Sequence, residues 1–290
     1  MTIGAAISDA TRQLRASGSP SARIDAELLL AHVTGHDRSW VLAHPEASLP
    51  DAAAFAAALE RRATGDPIAY IRGFKEWQSL RIRTDARALI PRPETELLAD
   101  EAMMTIAARM TQGIPPIVAW EVATGSGAVA VALALRFRPA LTRRRLRLIA
   151  SDVSPEALEL AAENLAIHGV ADHVTLACAN LLDPAGELLP RPDVIVANLP
   201  YLATEEVDAG YASLAFEPRL ALDGGPDGLA VLRQLLESVT ERAAGGATVL
   251  LEIGAGQADA VAALVPAGAS VSVIRDLAGL DRVARVELPD

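Results

Sequence analysis

The segment DVIVANLPY (193–201) ends an apolar run in an amide, a carbonyl ahead of a proline, and a phenol ring. Pro200 fixes its own φ and pushes Leu199 towards extended backbone. The Asn198 amide oxygen and the Leu199 carbonyl can then point the same way. Two convergent acceptors suit a planar –NH2 group, and Tyr201 offers a ring to lie against that group. An amide or aromatic amine is a poor nucleophile because its lone pair is delocalised. Holding both of its N–H bonds while a methyl sulfonium stands in line raises the effective concentration. It also favours the geometry in which the nitrogen pyramidalises. Neither a metal nor a strong base is required.

Three further groups stand where ligands gather in a parallel sheet, beyond the carboxyl ends of strands. Thr124, Gly125, Ser126 and Gly127 follow one apolar run as a tight turn that opens a helix. Glycines allow close backbone approach, and the helix start offers free N–H groups. Asp152 ends the next run, 25 residues beyond Gly127, where an acid accepts hydrogen bonds from the two hydroxyls of a ribose. Turn and acid together point to an adenosine-type ligand, either a dinucleotide or S-adenosylmethionine. The turn carries no Lys or Arg to grip phosphate, which leans towards S-adenosylmethionine. Asn180 follows a third run and can reach an adenine edge, since an amide both accepts and donates; it equally suits a loop bonded to its own backbone.

The elements that must position these groups are legible as alternating patterns. Residues 1 to about 65 read as helices: Ala26, Leu29, Leu30 and Val33 share one face, and Asp51 is placed to cap a helix that Gly65 follows. The Gly- and Pro-rich stretch after it contains SLRIRTD, which alternates like an exposed strand. From about residue 95, strands IVAWEVA (117–123), LRLIASD, HVTLACAN, DVIVAN, GGATVLLEIG and RVARVELPD are separated by helices. The helix at SPEALELAAENLAIHG has Ser154 as N-cap and Pro155 at its first position. Such alternation implies an α/β fold with a mainly parallel sheet covered on both faces. The expected domains are a helical substrate-recognition domain at 1–72, a hairpin and linker at 73–94, and an α/β domain at 95–290.

Composition narrows the function classes. The chain has 290 residues, 51% of them hydrophobic, and a net charge of −11. It can bury a sizeable core, and its acidity disfavours a general nucleic-acid coat. A single cysteine, Cys178, excludes an internal disulfide and is expected in a strand core. With neither a signal peptide nor an apolar run of about 18 residues, a cytoplasmic protein away from membranes is expected. His32, His36, His44, His168 and His173 show no metal-ligand spacing, so no metal is expected. The arginines of LRFRPALTRRRLRL (135–148) are expected in a solvated loop at the foot of the sheet.

Several separated segments resemble the HemK/PrmC family of peptide chain release factor glutamine methyltransferases over nearly the whole chain. They are PIAYIRGFKEW, LIPRPETELL, EVATGSGAVAVALA, SDVSPEALELAAENL, DVIVANLPY, EPRLALDGGPDGLAVLRQLL, LEIGAGQ and DLAGLDRVARV. IPRPETE and EPRLALDGGPDGL are the most specific of these. The resemblance implies a seven-stranded, mostly parallel Rossmann-like methyltransferase domain, one of whose last strands is antiparallel. A small helical domain and a β-hairpin linker would precede it. It implies methyl transfer from S-adenosylmethionine to the side-chain amide of the glutamine in the Gly-Gly-Gln loop of class 1 release factors. By the same resemblance, Ala123 to Gly127 would hold the methionine part of the cofactor and Asp152 its ribose. Asn180 and Leu181 would flank the adenine, and Asn198, Leu199, Pro200 and Tyr201 would hold the glutamine. Apart from the resemblance, IPRPETE suits either a plain linker with a helix start at Glu94 or a segment in which Arg92 or Glu94 helps to close the site.

This sequence departs from the family pattern at three places. Leu199 replaces the first proline of Asn-Pro-Pro-Tyr, which keeps the carbonyl but loosens the turn. Ala123 stands where glycine is usual, and Asn180-Leu181 replace a commoner acid and aromatic. These changes bear on cofactor affinity more than on reaction type. The rival readings are a glutamine methyltransferase of a ribosomal protein, a nucleic-acid adenine methyltransferase, which shares Asn-Leu-Pro-Tyr, and a non-catalytic S-adenosylmethionine-binding module.

Overall fold

The computed structural model describes residues 1–112, 116–183, 188–210 and 214–290. The described residues divide into two compact units, residues 1–75 with 214–216, and residues 76–112, 116–183, 188–210 and 217–290.

The first unit holds five helices: α1 (Ile3–Ala16), α2 (Ala22–Thr34), α3 (Arg38–Ala43), α4 (Ala52–Ala63) and α5 (Ile68–Arg72). Ile3, Ala6, Ala10 and Leu14 recur at helical spacing on α1 and are buried with Leu29, Leu30 and Phe55. Val33 packs against the same cluster, so the expected face of α2 is the buried one. Thr2, Asp37 and Asp51 cap their helices by accepting from the backbone N–H three residues on. A two-stranded hairpin follows, β1 (Phe74–Trp77) and β2 (Leu80–Arg83), with Ile82 buried between exposed Arg81 and Arg83.

The second unit, which from residue 76 includes β2, continues with α6 (Thr95–Thr111), β3 (Ile117–Val122), α7 (Ala128–Arg136), α8 (Arg138–Thr142), β4 (Leu146–Asp152), α9 (Pro155–Ile167) and β5 (Val174–Cys178). It ends with β6 (Val194–Ala197), α10 (Thr204–Asp208), α11 (Ala230–Arg242), β7 (Thr248–Glu252), α12 (Ala258–Leu264), β8 (Ser270–Arg275) and β9 (Asp281–Glu287). The sheet order is β5-β4-β3-β6-β7-β9-β8, with β9 antiparallel to both of its neighbours. Every residue of β3 is buried, yet its side chains alternate between two cores. Ile117 and Ala119 join the cluster built with α6 and α7; Val118, Trp120 and Val122 join the one built with α11. The chain leaves β3 for β4 and β5 on one side and returns to β6 on the other. This places a topological switch point between β3 and β6.

Register aligns the strand ends at that point. Val122 lies opposite Ala197 and Ser151, and Ala197 lies opposite Leu251. Ala123, Asp152, Asn198 and Glu252 are therefore the next residues beyond one common level of the sheet.

Two expectations are corrected. Cys178 lies in a strand but is exposed, because it is the last residue of β5, the outermost strand. The arginine-rich segment is not a loop throughout: α8 occupies its middle and buries Ala140 and Leu141. Arg143, Arg144 and Arg145 are exposed ahead of β4. Strand β8 was not among the expected strands although SVSVIR alternates polar and β-branched residues; it is an edge strand with four of its six residues exposed.

Candidate active site

A cleft of about 310 Å3 opens at the switch point, and among the described residues all that line it belong to the second unit. Its wall includes Ala123, Thr124, Gly125, Ser126, Asp152, Asn180, Leu181, Asn198, Leu199 and Pro200. Gly127 and Tyr201 are not in the wall. Gly127 is the N-cap of α7, and Tyr201 is half-buried, with its carbonyl accepting from Gln257 Nε2 at 3.1 Å.

The turn after β3 is tied to the end of β4. Asp152 Oδ2 accepts from Gly125 N at 2.9 Å and Oδ1 accepts from Ser154 N at 3.0 Å. Each oxygen keeps a lone pair for a further donor. Burial pushes the Asp152 carboxyl up, against the lowering effect of backbone N–H groups of Ser154, Gly125 and Val153. Ser154 caps α9, with its hydroxyl accepting from Ala157 N at 3.1 Å, so Asp152 is left for the cleft. Ala123 takes φ +56°, a left-handed conformation that costs a side chain about 1 kcal/mol, which explains the glycine usual in the family pattern. Leu181 is likewise left-handed, at φ +50°, and is mostly buried in the core beneath the cleft.

Glu121 is a wall residue that the sequence patterns did not single out. It is buried at the end of β3 and accepts from Thr124 Oγ1 at 2.8 Å. Burial raises its carboxyl to about 8, and the nearby Asp152 adds to the rise. Two guanidiniums also line the cleft, and both are committed to carboxylates. Arg87 bonds Asp85 and Glu163, and Arg92 pairs with Glu217, which also accepts from Ile90 N at 2.9 Å. The Arg92–Glu217 pair joins IPRPETE to EPRLALDGG.

The loop after β6 is held by distant parts of the chain. Asn198 Nδ2 donates to Thr95 Oγ1 at 3.1 Å, which leaves the amide oxygen as the acceptor facing the other way. Leu202 N donates to Leu222 O, and Gly224 N to Leu202 O at 2.8 Å. A Cβ on Gly224 would stand 2.5 Å from the Pro200 carbonyl, and one on Gly228, at φ +71°, would collide with the Tyr201 carbonyl. LDGGPDGL is thus glycine-rich because the Pro200-Tyr201 backbone lies directly against it. Burial raises the Tyr201 hydroxyl, and Glu252 adds to the rise.

Residues 5–73 match the family described as the PrmC N-terminal domain. A release factor glutamine methyltransferase of Moorella thermoacetica is 38% identical over 290 residues, covering 97% of both chains. One from Cereibacter sphaeroides is 38% identical over 294 residues, covering 100% of this chain and 99% of its own. Among solved structures, the hMettl16 catalytic domain in complex with the MAT2A 3'UTR hairpin 6 is 13% identical with a TM-score of 0.51. It covers 83% of this chain and 84% of its own, a likeness of fold alone. Full-length identity at this level to relatives that share one name shows that the chain belongs to the release factor glutamine methyltransferase family.

Proposed function

We propose that this chain transfers a methyl group from S-adenosylmethionine to the side-chain amide nitrogen of the glutamine in the Gly-Gly-Gln loop of class 1 release factors. The observation that carries the reading is Asn198. Its amide nitrogen is committed to Thr95, so its oxygen is the end left to accept, beside the Leu199 carbonyl at the switch point. The names of the full-length relatives support the target.

The wall fits S-adenosylmethionine better than a dinucleotide. Both arginines that line it are neutralised by carboxylates, so neither is free to grip a pyrophosphate. A cationic, phosphate-free ligand does not meet that objection. Asp152 would hold the ribose hydroxyls through its two remaining lone pairs. Ala123 to Gly127 would hold the methionine part, and Asn180 and Leu181 would flank the adenine. When bound, S-adenosylmethionine supplies an electrophilic methyl group on a sulfonium sulfur.

The residues of the chain do the rest by position. Asn198 Oδ1 and the Leu199 carbonyl accept the two N–H bonds of the target amide and orient its nitrogen along the line of transfer. Pro200 stiffens the turn, and the Tyr201 ring backs the amide plane. The nitrogen gains the methyl and sheds one proton, and both of its N–H bonds are already aimed at oxygen.

The reading is tested with methyl-labelled S-adenosylmethionine and a purified class 1 release factor. Label is expected on the intact factor and absent when its loop glutamine is alanine or when Asn198 is alanine. Label on a ribosomal protein or on RNA instead would replace it.

A further inference from the structure

The turn after β3 has little stiffness of its own. Gly125 takes φ +54° and Gly127 φ +76°, on either side of Ser126. Glycine visits many conformations at little cost, so such a turn keeps one shape only when groups outside it take hold. Asp152 does so on the cleft side, where its carboxylate accepts from Gly125 N. The hold from behind comes from α9, the helix that follows Asp152.

Ala157, Ala161 and Asn164 recur at helical spacing on α9 and share one face. Ala157 lines the cleft. Ala161 leaves room at Gly127 for a hydrogen only, since a Cβ there would stand 3.0 Å from the Ala161 Cα and Cβ. Asn164 Nδ2 donates to Ser126 O at 2.8 Å and to Arg83 O at 3.0 Å, while its Oδ1 accepts from Arg83 N at 2.8 Å. A backbone N–H only donates and a carbonyl only accepts, so these partners fix which end of the amide is which. Asn164 is 0% exposed, so water does not compete for these bonds. The chain that follows β2 lies along the same helix: Arg87 bonds Glu163, and Ala88 packs with Ala157 and Leu160. The amide therefore ties the turn to a strand and a helix that are themselves fastened together.

We propose that Asn164 is a positioning residue for S-adenosylmethionine: its amide holds the Ser126–Gly127 peptide in one orientation, so that binding the cofactor need not order the turn. The proposal rests on the functional reading given above. Asn164 does not line the cleft and acts through the turn.

The test measures S-adenosylmethionine binding by calorimetry, and exchange of the Gly127 amide hydrogen in the ligand-free, full-length protein. Gly127 N donates to Thr124 O at 2.8 Å within the turn, so its exchange reports how often the turn opens. Asn164→Ala is expected to weaken binding about tenfold, the size of one lost hydrogen bond, and to speed Gly127 exchange by a similar factor. Turnover at saturating cofactor stays within about threefold of wild type. Leu165→Ala, at the next position on α9 and buried in the core, is the control for lost stability alone. It is expected to lower the unfolding midpoint at least as far, with binding within about twofold of wild type. If Asn164→Ala does not fold, Asn164→Asp carries the same readouts, because it keeps the acceptor for Arg83 N and loses the donor to Ser126 O. Binding within about twofold of wild type in the Asn164 variant, or an equal weakening in Leu165→Ala, overturns the proposal. Should wild type bind the cofactor but methylate no release factor, the functional reading falls separately and binding still decides here. Should wild type bind none, Gly127 exchange decides alone: faster exchange in the Asn164 variant only upholds the hold on the turn, and unchanged exchange overturns it.

Discussion

The two halves of the cleft are built by different means. The half around Asp152 is made by neighbours in sequence. The turn after β3 is clasped by the carboxylate that ends β4, and Gly125 and Asp152 are only 27 residues apart. The half around Asn198 is assembled from far away. Asn198 bonds Thr95 across 103 residues, Tyr201 bonds Gln257 across 56, and Gly224 and Gly228 give its backbone room. Binding a ligand by its ribose needs only local, rigid acceptors. Aiming one amide at another needs orientation control that no short segment supplies.

The largest break in this comparison is Asn198→Ala. It is expected to lower kcat by about 10^3-fold, as for loss of an acceptor aimed at the reacting group, while cofactor affinity measured by calorimetry changes little. Equal losses in both would mean that the two halves are not separable. Gly228→Ala comes next, because a side chain at φ +71° collides with the Tyr201 carbonyl. A stability loss of about 2–4 kcal/mol in urea unfolding is expected, with transfer activity lost alongside.

Glu121 sharpens the comparison through pH. Its carboxyl is raised from 4.5 to about 8, so between those values the folded state binds more protons than the unfolded chain. Its contribution to stability is complete below the lower value and is lost as the pH rises towards 8. Glu121→Gln should reduce the drop in denaturation midpoint between pH 5 and 9, by an amount on the order of 2 kcal/mol. An unchanged drop would mean that Glu121 is solvated in solution. Asp152→Ala is expected to weaken S-adenosylmethionine binding about 10- to 100-fold with kcat at saturation retained, the converse of Asn198→Ala. The smallest effect is Ala123→Gly. Relief of the left-handed strain should outweigh the added chain entropy and leave stability within about 0.5 kcal/mol, with slightly tighter cofactor binding.

Much of the molecule was legible before any coordinates. Ser154 was readable as a cap because Ser-Pro before a helical pattern satisfies orphan N–H groups locally. Asp152 was readable because it ends a strand just ahead of a helix that Ser154 caps, so the cap does not need its carboxylate. The helical face of α2 and the strands β3, β4 and β6 followed from periodicity. Cys178 misled, since an apolar strand pattern does not say which strand is outermost. Glu121, Thr95 and Gln257 were invisible as partners. Each lies in a segment with a recognisable pattern, IPRPETE, EVATGSG or LEIGAGQ, but pattern says nothing about which side chain meets which.

By itself, the sequence determined the alternation of strands and helices, the caps, the turn after β3, and the amide-carbonyl pair at Asn198-Leu199. These depend on interactions within a few residues, where spacing and chemistry suffice. Only the tertiary structure decided which end of the Asn198 amide faces the cleft, which arginines are already paired, and why LDGGPDGL needs its glycines. Those outcomes depend on groups brought together by strand order and register. There the sequence separation is large, and closure of the chain, not local preference, sets the contact.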